Sequence, residues 1–118
     1  MLILIAEDDE ISEMLIRSAI KVFSKEILAA RTGIEAVEIC RNNPEIDLVL
    51  MDIKMPDMDG YEATRKIREF NQEVVIISQT AYAIEGAREK VIEAGCNDYI
   101  SKPIKKDDLV RLIQKHFQ

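Results

Sequence analysis

The chain has 118 residues, the length of one domain, and its net charge at pH 7 is -6. This charge argues against a nucleic-acid partner, because affinity for a phosphate backbone depends on clustered lysine and arginine. Hydrophobic residues make up 47% of the sequence and charged residues 32%, a composition that predicts a folded rather than a disordered chain.

Nothing in the sequence predicts a membrane segment or a disulfide. No apolar run approaches the roughly 18 residues of a membrane span. The segment MLILIA has no basic region before it and is followed directly by acids, so we do not expect a signal peptide. Cys40 and Cys96 are the only cysteines and lack CxxC spacing, so we expect two reduced, packed thiols in a cytoplasmic protein.

Short apolar runs predict five strands. The runs are continuous rather than alternating, which is typical of strands that helices cover on both faces. They lie at residues 2–6, 27–30, 47–51, 74–78 and 98–100.

Between these runs, apolar residues recur at intervals of three and four, which predicts five helices. The first stripe is Ile11, Met14, Leu15, Ser18, Ala19 and Val22, and the later stripes are Ile34, Val37 and Cys40; Ala63, Ile67 and Phe70; Ile84, Ala87, Val91 and Ala94; and Leu109, Leu112, Ile113 and Phe117. We expect Gly95 to end the fourth helix and Asp107 or a neighbour to cap the fifth. The alternation of strands and helices predicts an α/β fold with one parallel sheet and helices on both faces.

Polar residues follow four of the predicted strands. In an open parallel sheet the ligand site lies beyond the carboxyl ends of the strands, so these side chains should converge. Clustered carboxylates need a compensating cation, and oxygen ligands suit Mg²⁺. With a lysine and a hydroxyl beside them, they predict a phosphoryl acceptor site in which an aspartate is the candidate nucleophile. The residues in question are Glu7, Asp8 and Asp9; Asp52; Ser78, Gln79 and Thr80; and Ser101, Lys102 and Pro103.

Four segments and their mutual spacing carry a resemblance to a known family. They are IAEDDE (5–10), MDIKMPDMDG (51–60), QTAY (79–82) and EAGCNDYISKPI (93–104). The whole chain, residues 1–118, resembles the receiver domains of two-component response regulators. Within that family, its motifs most resemble those of the receivers of hybrid sensor histidine kinases. The resemblance implies the flavodoxin-like, doubly wound (βα)5 fold with strand order 2-1-3-4-5.

The resemblance also implies a metal site and a phosphorylation site. Asp52 would be the phosphoacceptor. Asp8 would bind Mg²⁺ directly, Glu7 would bind it through a water, and Asp52 and the backbone carbonyl of Lys54 would complete the protein ligands.

Other residues correspond to a phosphoryl-binding and switching set. Thr80 and Lys102 would contact the phosphoryl group, and the Lys102–Pro103 bond would be cis. Tyr99 would swing inward when Thr80 moves, which would alter the surface of helix 4, strand 5 and helix 5.

The implied function is a Mg²⁺-dependent switch that accepts phosphate from a phosphohistidine of a histidine kinase or histidine phosphotransfer protein. Its only implied chemistry is its own phosphorylation and slow dephosphorylation, with no metabolic turnover. The alternative is a phosphorylation-independent interaction module, a pseudo-receiver, against which the complete residue set argues.

We expect a cytoplasmic location, either as a stand-alone regulator or, as the resemblance favours, as part of a hybrid kinase that is itself membrane-bound. The downstream effector stays open.

The same sequence supports several other expectations. We expect no direct membrane contact and a monomer or weak dimer, with Asp98 and Arg111 as candidate dimer contacts. His116 is expected at the surface and not as a phosphate donor. Lys54 and Tyr82 are hypothesised to crowd the path of the hydrolytic water and prolong the phosphorylated state. A calcium loop is excluded, because aligning Gly60 with loop position 6 puts Met55 and Lys66 where acids are required.

Overall fold

In the computed structural model, which describes residues 1–81 and 86–117, five parallel strands form one sheet in the order β2-β1-β3-β4-β5. This confirms the predicted α/β class and strand order. The strands are β1 Leu2–Ala6, β2 Glu26–Ala30, β3 Leu48–Asp52, β4 Val75–Thr80 and β5 Asp98–Ser101. The helices are α1 Glu10–Ile20, α2 Gly33–Asn42, α3 Gly60–Arg68, α4 Ala87–Ala94 and α5 Lys106–His116. Ile84 and Tyr82 lie outside the described residues.

The sheet separates two apolar cores, which explains why the strands are apolar on both faces. One core lies under α2, α3 and α4 and contains Val37, Ile67 and Val91. The other lies under α1 and α5 and contains Ile16 and Ile113. Every residue of β3 is buried, because β3 pairs with β1 on one side and β4 on the other.

The predicted apolar stripe of α1 does not face the core. Of its six residues only Ala19 is buried, whereas Met14 is 68% and Leu15 64% exposed. The buried face of α1 is instead Ile16, Ala19 and Ile20. Burying an isoleucine side chain stabilises the fold by about 1.5–3 kcal/mol, so the two isoleucines determine which side packs. The exposed stripe is therefore available for contact with another molecule.

Helix ends follow the predicted chemistry at some positions and not at others. Gly95 ends α4 with φ of 114°, as expected for a left-handed C-cap. The prediction that Asp107 or a neighbour caps α5 with its side chain is wrong. Lys105 is the N-cap, no side-chain cap bond forms, and Asp107 lies in the first turn, where its charge complements the helix dipole.

A membrane-spanning helix would need a longer apolar segment than any helix in residues 1–81 and 86–117 provides. Both cysteines are free and buried, which confirms the prediction of packed thiols. Burial raises the pKa of the Cys40 thiol to about 11.

The end of α5 is attached to the start of β5 by the buried carboxylate of Asp98. His116 Nε2 lies 3.0 Å and Lys115 Nζ 3.3 Å from Asp98 Oδ2, and Arg88 of α4 lies 3.5 Å from Oδ1. His116 lies at the surface but is not freely exposed, since its side chain is 18% exposed and contacts Asp98. The two candidate dimer contacts both have partners within the chain, because Arg111 pairs with Asp108.

The pKa of Asp98 lies below its usual value. Burial opposes this shift, but the hydrogen bonds with His116, the N–H of Tyr99 and Lys115 outweigh it. Ionised Asp98 therefore stabilises the folded state. This contribution is complete above the unfolded pKa of about 4 and is lost as the pH falls through the lower folded value.

We predict that Asp98→Asn lowers the free energy of unfolding at pH 7 by about 1–3 kcal/mol, because charge-assisted hydrogen bonds are lost. The measurement is urea unfolding of both proteins at pH 7 and at pH 3. The difference should shrink at pH 3, where Asp98 is losing its charge. Asp108→Asn, which removes an exposed carboxylate, is the control and should change stability little. A loss of unfolding free energy as large at pH 3 as at pH 7 would show that the stabilisation does not come from ionised Asp98.

Candidate functional site

Three carboxylates meet at the carboxyl edge of the sheet. Glu7 and Asp8 follow β1 and Asp52 ends β3, and these two strands are neighbours. One oxygen from each side chain lies within 4.8 Å of the others. Glu7 and Asp52 are buried, and Asp8 is exposed. The predicted convergence of these three acids is therefore present in the structure.

Lys102 balances the two buried carboxylates. Its Nζ lies 2.9 Å from Glu7 Oε1 and 3.4 Å from Asp52 Oδ2. Lys102 follows β5, whereas Asp52 ends β3 and Glu7 follows β1, so these contacts join strands that are not neighbours in the sheet. The order of the strands brings this cation to the acids, which are far from it in the sequence.

Burial and mutual charge shift the titration of this cluster. Burial raises the pKa of Glu7 above its usual value, and the hydrogen bond from Lys102 offsets part of that rise. Burial alone would lower the pKa of Lys102, but the hydrogen bond to Glu7 and the charge of Asp52 raise it. Lys102 therefore stays protonated, as a cation that binds phosphoryl oxygens must be.

The loop after β3 holds Asp52 in place through its backbone. The N–H of Lys54 donates to Asp52 Oδ1 at 3.3 Å, and the N–H of Gly60 donates to the carbonyl of Ile53 at 2.8 Å. A Cβ at Gly60 would lie 2.3 Å from the backbone oxygen of Asp52, so only glycine allows α3 to begin this close to β3. Asp59 is the N-cap of α3.

The remaining predicted site residues lie at the same edge. Thr80 ends β4 and is buried, and its carbonyl accepts a 2.7 Å hydrogen bond from the N–H of Lys102. The Lys102–Pro103 bond is cis, the geometry that the resemblance implies. Tyr99 is half-buried and packs against the core under α2, α3 and α4. Lys54 is exposed and lines a cavity of about 300 Å³ beside Thr80.

Two further residues lie near the cluster, and of these only Arg31 is absent from the polar strand-end residues that the sequence predicts to converge. Arg31 directly follows β2, and its NH1 donates to the carbonyl of Asp8 at 3.4 Å. The sequence feature that could have identified Arg31 is its position directly after a strand. Gln79, which is next to Thr80, is 1% exposed and pairs across the sheet with Asp52.

The three carboxylates suit a divalent cation that prefers oxygen ligands. Three acids whose oxygens lie within 4.8 Å of one another repel unless positive charge compensates them, and one lysine carries a single charge. The donors are all hard oxygens, as Mg²⁺ requires, and Asp8 is open to solvent, so a bound ion could retain water ligands. Glu7, Asp8 and Asp52 therefore form a site that Mg²⁺ fits.

Comparisons with known proteins agree on one kind of domain. The sequence profile of the response regulator receiver domain matches residues 3–114. The polar-differentiation response regulator DivK of Brucella ovis is 33% identical over 116 residues, covering 97% of this chain and 94% of DivK. The magnesium-bound receiver domain of sensor histidine kinase PA1611 from Pseudomonas aeruginosa PAO1 is 36% identical, with a TM-score of 0.85 and coverage of 97% of this chain and 94% of that chain. The receiver domain of Ssk1 from Saccharomyces cerevisiae, solved with the histidine phosphotransfer protein Ypd1, is 28% identical, with a TM-score of 0.90 and coverage of 98% and 87%.

We predict opposite effects of Asp8→Asn on the metal-free and Mg²⁺-loaded protein. Removing one charge from the cluster should raise the melting temperature without metal. It should also reduce the further rise that Mg²⁺ produces, because a ligand that binds only the folded state stabilises it by mass action. Thermal unfolding with EDTA and with a Mg²⁺ series measures both effects.

Glu10→Gln is the matched control, since it removes the same charge from an exposed residue outside the cluster. It should leave the Mg²⁺ response as in the wild type. If Asp8→Asn also leaves that response unchanged, the three carboxylates are not the metal site.

Proposed function

The chain belongs to the response regulator receiver domain family, and from this premise we propose that Asp52 accepts a phosphoryl group from a phosphohistidine on a partner protein. The proposed partner is a histidine kinase or a histidine phosphotransfer protein. The observation that carries the proposal is the contact of Lys102 with the buried carboxylates of Asp52 and Glu7 at the sheet edge. We extend the proposal to the whole chain as one receiver domain with a cytoplasmic location, which its buried, free thiols support.

In the proposed reaction, a carboxylate oxygen of Asp52 attacks the phosphorus atom of the phosphohistidine. The P–N bond breaks and its electron pair returns to the ring nitrogen, while the other nitrogen carries a proton, so that the histidine leaves as a neutral imidazole. Lys102 moves its ammonium group from Asp52 to a phosphoryl oxygen, and the Thr80 hydroxyl donates to another. The buried backbone contacts of Asp52 limit its freedom, so that it is already oriented for attack.

The metal and its ligands form part of the proposal. Asp8 and Asp52 would hold Mg²⁺ directly, Glu7 through a water, and the Lys54 carbonyl would be the further ligand that the family implies. A bound ion supplies positive charge beside the transferring phosphoryl group.

Thr80 and Tyr99 are proposed to pass the change to the surface of α4, β5 and α5. They belong to neighbouring strands, in which Ser78 pairs with Tyr99 and Thr80 with Ser101. Ser78 and Thr80 alternate with Gln79 and therefore share a face, and Tyr99 packs against the core on that side. A shift of Thr80 toward the phosphoryl group would free space that the Tyr99 ring can enter.

The N-terminal part of the exposed stripe of α1, which excludes Val22, is the proposed contact surface for the phosphate donor. Ile11, Met14 and Leu15 are each more than 60% exposed, and contiguous apolar surface of this kind marks interaction sites. Leu15 also lines a cavity of about 400 Å³ whose other wall includes Lys102 and Pro103. A helical donor that packs on this surface would therefore stand next to the site lysine. Ssk1, a relative, was solved with a histidine phosphotransfer protein, which supports a donor of this class.

We predict that the protein gains the mass of one phosphoryl group when it is incubated with Mg²⁺ and acetyl phosphate. Asp52→Asn should abolish the gain, because the nucleophile is lost, and Asp57→Asn, which changes an exposed aspartate of the same loop, should preserve it. Intact-protein mass spectrometry makes the measurement. A wild type that gains no mass would favour a pseudo-receiver, and an Asp52→Asn variant that still gains it would place the phosphoryl group on another residue.

We predict that Leu15→Glu slows phosphate transfer from a phosphohistidine protein at least about tenfold, since a charge would have to be buried at the contact. Transfer from acetyl phosphate, which needs no docking surface, should be unchanged. Val22→Glu is the control, because Val22 is 81% exposed and lies beyond the far end of α1. Equal loss with both phosphate donors would assign Leu15 to the fold and not to docking.

A further inference from the structure

Gln79 carries an unpaired polar group inside the core. Its side chain is buried, and neither the nitrogen nor the oxygen of its amide has a hydrogen-bond partner among the described residues. An amide buried without partners destabilises a protein by about 1–3 kcal/mol. A methionine would fill a similar volume without this cost, so the amide calls for an explanation.

The position of Gln79 places it between the acids and the site lysine. Along β4, side chains alternate between the two faces, and Gln79 shares the face of Ile77, which belongs to the core under α1 and α5. At this level of the sheet its neighbours are Asp52 on β3 and Ile100 on β5. Gln79 is thus the β4 residue beside Asp52 on the face from which Asp52 meets Lys102.

The contacts of Lys102 bridge the strand that carries this residue. Lys102 follows β5 and contacts Asp52 on β3 and Glu7 beyond β1, and β4 lies between β5 and β3. The contact between Lys102 and Asp52 therefore bridges the end of β4, where Gln79 is paired with Asp52. Its ammonium group has three N–H donors and requires acceptors wherever it stands.

A divalent cation at Glu7, Asp8 and Asp52 would lie beside Lys102, which contacts two of these carboxylates. The ammonium lies 2.9 Å from Glu7 and 3.4 Å from Asp52, so the two positive charges would be close together and would repel. Lys102 then needs another acceptor near its present position. Among the described residues, the amide oxygen of Gln79 is a buried acceptor without a partner, and it belongs to the β4 residue that pairs with Asp52.

We propose that Gln79 is a positioning residue that accepts a hydrogen bond from Lys102 when a divalent cation takes the three carboxylates. The amide oxygen holds the displaced ammonium at the edge of the site, close enough to meet an incoming phosphoryl group. The amide is neutral, so it binds the lysine without competing for the metal as a carboxylate would. This inference rests on the proposed Mg²⁺ site and adds a residue to it.

The test is the Mg²⁺ affinity of purified, metal-free protein, measured by isothermal titration with magnesium chloride alone. Gln79→Met should weaken binding about five- to tenfold, because the displaced lysine loses a charge-assisted hydrogen bond. The same variant should have a higher melting temperature than the wild type in EDTA, because the unpaired amide is gone. Ile77→Met, on the same strand and face, is the matched control and should leave Mg²⁺ affinity unchanged.

A double-mutant cycle connects the effect to the lysine. In a Lys102→Met background, Gln79→Met should no longer change Mg²⁺ affinity, since no ammonium has to be displaced. In the wild type, Mg²⁺ should also shift the side-chain amide NMR signals of Gln79, and the Lys102→Met variant should lack most of that shift.

Two results would overturn the proposal while leaving the metal site intact. One is a Gln79→Met variant that binds Mg²⁺ as the wild type does, and the other is an equal loss of affinity with and without Lys102. A wild type that binds no Mg²⁺ would overturn the metal site itself, and this inference with it.

Discussion

The contact of one ammonium group with two buried carboxylates is the interaction on which this site depends. Buried charges are tolerated only when they are paired, and removing one partner leaves a costly, uncompensated charge. Lys102 and Glu7 are 95 positions apart in the chain, so the pairing exists only when β1, β3, β4 and β5 lie side by side. The fold and the chemistry are therefore coupled. The strands that carry Glu7, Asp52 and Lys102 to this edge also bring together the charges that compensate one another.

The backbone provides the precision that charge alone would not give. Asp52 is the last residue of a strand that is buried along its whole length, and the following loop returns close enough that Gly60 has no room for a Cβ. Asp59 then begins α3 by accepting from the N–H of Glu62 at 2.9 Å. Asp52 contacts Lys102 in the charge cluster, whereas Asp59 caps α3 and Asp57 is exposed. Asp57 adopts φ of 68°, a conformation that aspartate tolerates better than most residues.

Much of this arrangement could be predicted from the sequence, and the errors have physical causes. Continuous apolar runs indicated the sheet, and reading the residues after each strand located the acids and Lys102. Periodicity identified α1 but not its buried face, because apolar residues lie on both sides of that helix and only packing chooses between them. The contact of His116 with Asp98 spans 18 positions and depends on where α5 lies, which no local pattern records. The unpaired amide of Gln79 is likewise a property of its surroundings.

The central claim is that Asp52, and no other aspartate at this edge, becomes the acyl phosphate. Borohydride reduces an acyl phosphate to an alcohol and leaves free carboxylates intact, so a phosphorylated aspartate is recorded as homoserine. The most direct measurement is to phosphorylate the protein in the presence of Mg²⁺, treat it with borohydride, and sequence the peptides by mass spectrometry. The account predicts homoserine at residue 52 alone. Homoserine at residue 8, 57 or 59, with residue 52 still aspartate, would contradict it.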